Sequence, residues 1–260
     1  MSAVENETAG TRPAFSIILA TLNERESLPE VLDRIFRLPR SDFEVIVVDD
    51  GSSDGTRELV RERSTSEPRL RLLTHEGKQT TVLAQCQGIQ SARGAFVVIM
   101  DADLQHPPER IVDLVDALEQ GASLAIGSRY AHGGSPGPRT LTRWALSRGA
   151  EWFARRLLAE ARSVSDPVSG FFAFRRQVFV LLGPEYRGYK LLLFTLVMNR
   201  KRAVVEVGYR FEPRAHGESK ATQGLGFILL FLRETYRAGR LRRTLGPLPT
   251  GRETPIASRS

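Results

Sequence analysis

The chain has 260 residues, of which 41% are hydrophobic and 26% charged, so it can bury a core and is not disordered by composition. Its single cysteine, Cys86, excludes an internal disulfide and a thiolate metal cluster. The net charge of +7 comes mostly from arginine, which fits either an arginine-rich genome or anionic partners such as phosphates and membrane surfaces.

Continuous apolar runs of strand length dominate the first half of the chain. Such runs are typical of strands buried on both faces of a parallel sheet. The strongest are residues 15–20, 43–48 and 95–100, and the weaker ones are residues 70–73 and 122–126. Helical patterns lie between them at residues 27–37, 56–63, 81–92 and 108–118. This alternation predicts an α/β doubly wound sheet, in which ligands bind beyond the carboxyl ends of the strands.

The second half has a different pattern. It predicts a long helix over residues 140–161, a short strand after residues 166–172, a helix near 189–200 and a strand at 204–211, followed by a polar loop at 212–223. Residues 1–12 lack the apolar core of a signal peptide, and no apolar run is long enough to span a bilayer. We therefore expect a cytoplasmic protein that is soluble or peripheral to the membrane.

Acidic side chains follow two of the predicted strands. Asp49 and Asp50 follow the second strand, and Asp101 and Asp103 follow the fourth. Four carboxylates at one sheet edge would repel one another unless a cation or hydrogen-bond donors compensate them. Asp101 and Asp103 are two residues apart, so on an extended chain they point the same way, and hard oxygen ligands suit Mg²⁺ or Mn²⁺. Asp54 is interpreted instead as the cap of the next helix.

The order of the motifs resembles that of the family 2 glycosyltransferases with the GT-A fold, in particular the dolichol-phosphate (polyprenol-phosphate) mannose synthase group. The motifs that carry the resemblance are residues 21–24 (TLNE), 47–55 (VVDDGSSDG), 100–108 (MDADLQHPP), 127–130 (GSRY), 147–150 (SRGA), 166–172 (DPVSGFF) and 214–220 (RAHGESK). The resemblance implies a Rossmann-like, mostly parallel sheet flanked by helices, in one domain of residues 14–223. A disordered tail at 1–13 would precede it, and an amphipathic helix at 224–245 and a second tail at 246–260 would follow.

The resemblance also implies a donor site. The residues it assigns to the nucleotide of a nucleotide sugar, with GDP-mannose expected, are Thr21, Glu24, Asp49, Asp50 and Asp101. Asp101, Asp103 and Gln105 would bind Mg²⁺ or Mn²⁺ and, through the metal, the diphosphate. Leu22 stands where the family pattern has tyrosine, which leaves open how the base stacks.

A second set of residues is implied for the phosphate of a polyprenyl or dolichyl acceptor. Its members are Arg129, Arg143, Ser147, Arg214 and Lys220, and the residues assigned to catalysis are Asp103, Arg129 and Arg214. Arg143 and Ser147 are four residues apart on a predicted helix and so share a face. Guanidinium groups match phosphate oxygens well, which makes this set a suitable phosphate site.

The implied reaction is an inverting transfer, and its acceptor is open to two interpretations. A lipid phosphate is already anionic and needs no general base. A soluble family 2 enzyme with a UDP-sugar and a hydroxyl acceptor would need one, and Asp166 is the nearest candidate, although an Asp-Pro turn is the simpler interpretation. A nucleic-acid partner is not expected, because stacking aromatic residues do not alternate with the basic ones.

The carboxyl-terminal segment bears on membrane binding. Residues 225–243 are apolar at first and basic afterwards, which predicts either a helix lying on a membrane surface or one packed on its own domain. The lipid acceptor makes a membrane surface an expected partner. Attachment through a separate membrane-anchoring protein is a further option.

Overall fold

The computed structural model describes residues 12–75, 80–138, 141–179, 182, 190–213 and 225–244, without the side chains of residues 141–145, 225 and 227. Within this part of the chain, seven strands form one sheet: β1 (Phe15–Thr21), β2 (Phe43–Asp49), β3 (Leu70–Thr74), β4 (Phe96–Asp101), β5 (Leu124–Ser128), β6 (Phe172–Arg175) and β7 (Val204–Gly208). The helices are α1 (Leu28–Phe36), α2 (Thr56–Ser66), α3 (Thr81–Ser91), α4 (Arg110–Glu119), α5 (Leu141–Leu157), α6 (Leu191–Met198) and α7 (Leu225–Thr244).

The sheet has the order β3-β2-β1-β4-β6-β5-β7. All neighbouring strands are parallel except β6, which runs antiparallel to both β4 and β5. The α/β class with a mostly parallel sheet flanked by helices is therefore confirmed. The antiparallel insertion of β6 was not predicted from the sequence, because strand direction depends on the long connection through α5 and not on local pattern.

Hydrophobic layers cover both faces of the sheet. Along β1, Ile18 packs into one layer, while Ile17 and Leu19 pack into the other. The first layer includes side chains of α3 and α6, and the second includes side chains of α1 and α4. Since both faces are buried, every position of the strand must be apolar, which explains the unbroken hydrophobic runs in the sequence.

Two predicted elements end earlier than the sequence pattern suggested. Helix α5 stops at Leu157, and a separate 3₁₀ turn at Glu160–Arg162 follows it. The Arg162 side chain donates to the carbonyl of Arg155 at 2.8 Å and so satisfies a carbonyl at the end of α5. Strand β7 stops at Gly208, after which the chain leaves β5, and the amide of Phe211 donates to the carbonyl of Ser135.

Helix α7 has one buried and one exposed face. Phe231, Thr235 and Ala238 are buried, whereas Leu229 and Tyr236 are more than half exposed. The buried face packs on α5 and α6. None of the helices in the described part of the chain is both long and apolar enough to cross a bilayer. The predicted tails lie almost entirely outside the described residues, and the domain boundaries stay predictions.

Candidate active site

The carboxyl ends of three central strands lie level with one another. Thr21 of β1 pairs with Asp49 of β2, and Ala20 pairs with Asp101 of β4. The amide of Asp50 donates to the carbonyl of Thr21 at 2.9 Å, which joins the two chain segments just beyond the sheet. Strand register therefore brings Thr21, Asp49, Asp50 and Asp101 to one edge, where ligands of doubly wound sheets bind.

Asp49 holds the loop that follows β2. It is fully buried, and its Oδ2 accepts hydrogen bonds from the amides of Gly51 at 3.1 Å and Ser52 at 3.0 Å, and from the Arg57 guanidinium. Burial by itself would raise the pKa of Asp49, but the bonds from Ser52 and Arg57 outweigh it and lower the pKa overall. In this structure Asp49 shapes the loop after β2 from within, and its predicted contact with the nucleotide stays a prediction.

Asp50 lies beside a histidine that the sequence analysis did not single out. The Nε2 of His75 is 3.3 Å from Oδ1 of Asp50, and the His75 side chain is 6% exposed. His75 directly follows β3, so the rule that site residues follow strands could have indicated it.

The loop after β1 is tied to the loop after β2. The Asn23 side chain accepts from the amide of Ser53 at 2.8 Å, and the amide of Arg25 donates to Asp54 at 3.0 Å. Asp54 also accepts from the amide of Thr56 at the start of α2, but the N-cap position of that helix is Gly55, one residue later than the predicted cap. The Glu24 carboxylate accepts from the Ser27 hydroxyl at 2.9 Å. These bonds fix the backbone of the loops that follow β1 and β2.

The two carboxylates of the DAD motif differ in exposure. The Asp101 side chain is 46% exposed, whereas Asp103 is 4% exposed and accepts from the amide of Gln105 at 3.1 Å. Leu104 adopts a left-handed backbone with φ of 63°, which turns the chain sharply after Asp103. Within the described residues, no three His, Cys, Asp or Glu side chains lie close enough together to hold a metal by themselves.

A site with two carboxylates suits a divalent cation that shares its other ligands with a diphosphate. Mg²⁺ in particular is usually held by one or two carboxylates together with substrate phosphates. The donor chemistry of Asp101 and Asp103 fits Mg²⁺ or Mn²⁺ on this ground. The Gln105 side chain donates to the carbonyl of Glu212 at 3.4 Å, and the amide of Glu212 donates back to the carbonyl of Gln105 at 3.1 Å. Gln105 thus links the motif to the segment after β7, and its role as a metal ligand stays a prediction.

Arg129 and Asp166 form a buried ion pair. Asp166 is fully buried and accepts from Nε of Arg129 at 2.6 Å, from its Nη2 at 2.7 Å and from its amide at 3.2 Å. Burial would lower the pKa of Arg129, but the bonds to Asp166 outweigh it and raise the pKa. Glu206 holds Asp166 from the other side by accepting from its amide at 3.2 Å. The candidate base and one predicted phosphate ligand are therefore bound to each other.

The remaining acceptor residues are only partly described. The Ser147 hydroxyl donates to Glu151 at 3.3 Å, and Glu151 also accepts from Arg148 at 3.0 Å. The side chain of Arg143 lies outside the described residues, as do Arg214 and Lys220. Their assignment to the acceptor phosphate stays a prediction.

Residues 16–182 match the family model described as "Glycosyl transferase family 2". The chain belongs to glycosyl transferase family 2. This family 2 chain is 40% identical to the dolichol-phosphate mannosyltransferase of Pyrococcus furiosus over 85% of its own length and 62% of that protein's length. It is 36% identical to the polyprenol monophosphomannose synthase of Mycolicibacterium smegmatis, over 78% of this chain and 79% of that one. It is 32% identical to the dolichol-phosphate mannosyltransferase of Mycosarcoma maydis, over 88% of this chain and 81% of that one.

Solved structures give the same fold for the family 2 chain. The glucosyl-3-phosphoglycerate synthase of Mycobacterium tuberculosis, in complex with Mn²⁺, UDP and glucosyl-3-phosphoglycerate, superposes with a TM-score of 0.65. The alignment covers 92% of this chain and 82% of that one, at 20% identity. At this identity the likeness establishes the architecture. The resemblance to family 2 and its mannose synthase group, read from the motifs, is confirmed by the relatives above.

Proposed function

We propose that this chain transfers mannose from GDP-mannose to a polyprenyl or dolichyl phosphate at the cytoplasmic membrane surface, with inversion and with a divalent cation. The observation that carries the proposal is the strand register that sets Thr21, Asp50 and Asp101 side by side at one sheet edge. The names of the three relatives support the sugar and the acceptor.

We assign the nucleotide of the sugar donor to the two loops that follow β1 and β2. Asp50 stands at the start of the second loop and offers a carboxylate to N–H donors of a base or to ribose hydroxyls. Thr21 and Glu24 line the first loop, whose backbone is fixed by Ser52 and Thr56. A preorganised backbone lowers the ordering cost of nucleotide binding.

The diphosphate of the sugar donor is assigned to the motif Asp101-Ala102-Asp103. A bound Mg²⁺ or Mn²⁺ would supply Lewis-acid stabilisation of the charge that grows on the departing diphosphate. Asp101 and Asp103 would hold it, with Gln105 as the third proposed ligand. The half-exposed Asp101 carboxylate faces accessible space, and the buried Asp103 keeps its orientation through the amide of Gln105.

The acceptor is assigned to the anionic lipid phosphate and not to a sugar hydroxyl. A hydroxyl acceptor would need a general base, and both oxygens of Asp166 accept hydrogen bonds from Arg129. The Asp166 carboxylate is thus already engaged by that arginine. A phosphate nucleophile needs only positioning and charge balance, which arginine side chains supply.

The membrane assignment is supported by the outer face of α7. Leu229, Arg233, Tyr236 and Arg240 recur at three- and four-residue spacing and are exposed. On the neighbouring α5, Trp152 is 67% exposed between the exposed Arg148 and Arg156. Aromatic and aliphatic side chains flanked by arginine suit the headgroup region of an anionic bilayer.

The activity is tested with the full chain, Mn²⁺, radiolabelled GDP-mannose and a short polyprenyl phosphate. We expect a product that partitions into organic solvent. Asp103→Asn should reduce its formation by roughly 100-fold or more, in line with the loss of a group that stabilises transition-state charge. The matched control is Asp113→Asn, an exposed carboxylate on α4 that pairs with Arg110, which should leave the rate unchanged. Product only from UDP-sugars and a hydroxyl acceptor would refute the proposal.

Membrane association is tested separately by sedimentation with vesicles of phosphatidylcholine and phosphatidylglycerol. Leu229→Asp should reduce the bound fraction, because it places a negative charge among the lipid headgroups. The control is Val205→Asp, a 41% exposed apolar residue on the edge strand β7. Equal binding of both variants and the wild type would contradict the role of α7.

A further inference from the structure

His106 closes the turn that carries the two metal-site carboxylates. It lies five residues after Asp101 and is 2% exposed. Its Nδ1 accepts the backbone amide hydrogen of Asp101 at 3.3 Å. This amide belongs to the last residue of β4, where the regular strand bonding ends. The ring therefore supplies an acceptor to a backbone donor that lies beyond the last pair of β4 with β6, Ile99 with Phe172.

Three aromatic rings fix the orientation of this imidazole. Phe171 stacks on it at a centroid distance of 5.4 Å and an interplanar angle of 20°. Tyr209 and Phe211 meet it edge-on at 5.6 Å and 5.8 Å. Rings held from both the face and the edge cannot turn without disturbing the packing, so Nδ1 has a fixed position.

The same imidazole borders the Asp101 side chain. Its Nδ1 is 3.8 Å from Oδ2 of Asp101. A Cβ atom on Gly170 would stand 2.8 Å from that oxygen and 3.3 Å from Cε1 of His106, so Gly170 borders both side chains. The Asp101 carboxylate thus lies close to both His106 and Gly170, and its direction depends on both the ring and the backbone that the ring holds.

We propose that His106 is a positioning residue for the metal site: by accepting the Asp101 amide from a fixed ring, it sets the direction in which the Asp101 carboxylate points. The inference rests on the proposed function, since it assumes that Asp101 binds the divalent cation. A ring of similar size without the acceptor would keep the packing but remove the hydrogen bond to the Asp101 amide, and the end of β4 could then rotate. The loss of a group that orients a metal ligand typically weakens metal binding by about 10- to 100-fold.

The test measures Mn²⁺ affinity directly, by titrating Mn²⁺ into the full chain with GDP or UDP and following free Mn²⁺ by electron paramagnetic resonance. His106→Phe keeps an aromatic ring and removes the acceptor, and we expect binding about 10-fold weaker. His106→Asn places an amide oxygen near the position of Nδ1, and we expect it to bind more tightly than His106→Phe. Thermal unfolding of each variant reports whether the fold is retained.

Phe174→Leu is the matched control, because it shortens another fully buried phenylalanine whose ring contacts are with Phe172 and Phe179. Its Mn²⁺ affinity should stay near that of the wild type. The inference is overturned if His106→Phe binds Mn²⁺ as well as the wild type, if Phe174→Leu loses as much affinity as His106→Phe, or if His106→Asn gains nothing over His106→Phe. Absence of Mn²⁺ binding by the wild type with either nucleotide would refute the proposed metal site itself, which is a separate outcome.

Discussion

The ion pair of Arg129 and Asp166 allows a sharp prediction about stability. Asp166→Ala removes the acceptor of three hydrogen bonds and leaves the guanidinium of Arg129, whose side chain is 12% exposed, without its carboxylate. Removing one member of a buried pair typically costs about 3–5 kcal/mol. The rings of Tyr130 and Phe211 lie 5.5 Å and 5.7 Å from the guanidinium and offset part of the loss, so we expect about 3 kcal/mol.

Urea unfolding followed by circular dichroism measures this loss. The midpoint urea concentration should fall, while the dependence of the unfolding free energy on urea should stay unchanged. The double variant Arg129→Met with Asp166→Leu removes both charges, and it should recover most of the stability because no charge stays buried alone. A loss below about 1 kcal/mol for Asp166→Ala, or a double variant less stable than the single, would refute a structural role for the pair. If Arg129 also contacts the acceptor phosphate, the folded double variant should show a raised KM for polyprenyl phosphate.

Three further predictions concern the sheet edge. Gly170→Ala should weaken Mn²⁺ binding by about 10-fold in the same titration, because its Cβ would stand 2.8 Å from Oδ2 of Asp101 and displace that ligand. Burial lowers the pKa of His106 from 6.5 to about 4, so the unfolded chain takes up a proton in this range that the folded chain does not. Stability measured by urea should therefore fall by up to about 3 kcal/mol as the pH drops from 6.5 to 4, and less in His106→Asn. Asp49→Asn should lower stability by about 1–3 kcal/mol in thermal unfolding, because it weakens the buried pair with Arg57.

Each of these has a control in the chain. Gly149→Ala is the control for Gly170→Ala, since a Cβ there meets no atom within 4 Å, and it should leave Mn²⁺ affinity unchanged. Asp33→Asn is the control for Asp49→Asn, because Asp33 is 46% exposed and pairs with Arg63 at the surface, where such pairs contribute about 0–1 kcal/mol. Equal effects of variant and control would contradict the corresponding prediction. If stability depends on pH in the same way in His106→Asn and the wild type, the predicted contribution of His106 is contradicted.

The sequence predicted the strands well because the signal is local. Each of β1, β2 and β4 is a run of apolar residues buried on both faces, so its position was visible without knowledge of its neighbours. The same rule brought Asp50 and Asp101 to one edge, since residues after parallel strands meet there. The rule also covers His75, which directly follows β3, one of the two weaker predicted strands.

The roles of individual site residues depended on contacts between distant parts of the chain. Arg129 was assigned to a phosphate from its motif, and its bond to Asp166 spans 37 residues. Gly170 belongs to the motif at residues 166–172, and only the packing shows that a Cβ there would displace the Asp101 carboxylate. The role of His106 likewise depends on tertiary contacts, because three rings from distant segments surround it.

The sequence by itself therefore determined the family, the order of strands and helices, and the edge of the sheet where the chemistry is expected. Periodicity and strand-end residues encode these features, and both are readable within a few neighbouring positions. The tertiary structure decided the antiparallel direction of β6, the pairing of Arg129 with Asp166 and the surroundings of Asp101. These depend on which distant side chains share a buried volume, and no local pattern encodes that.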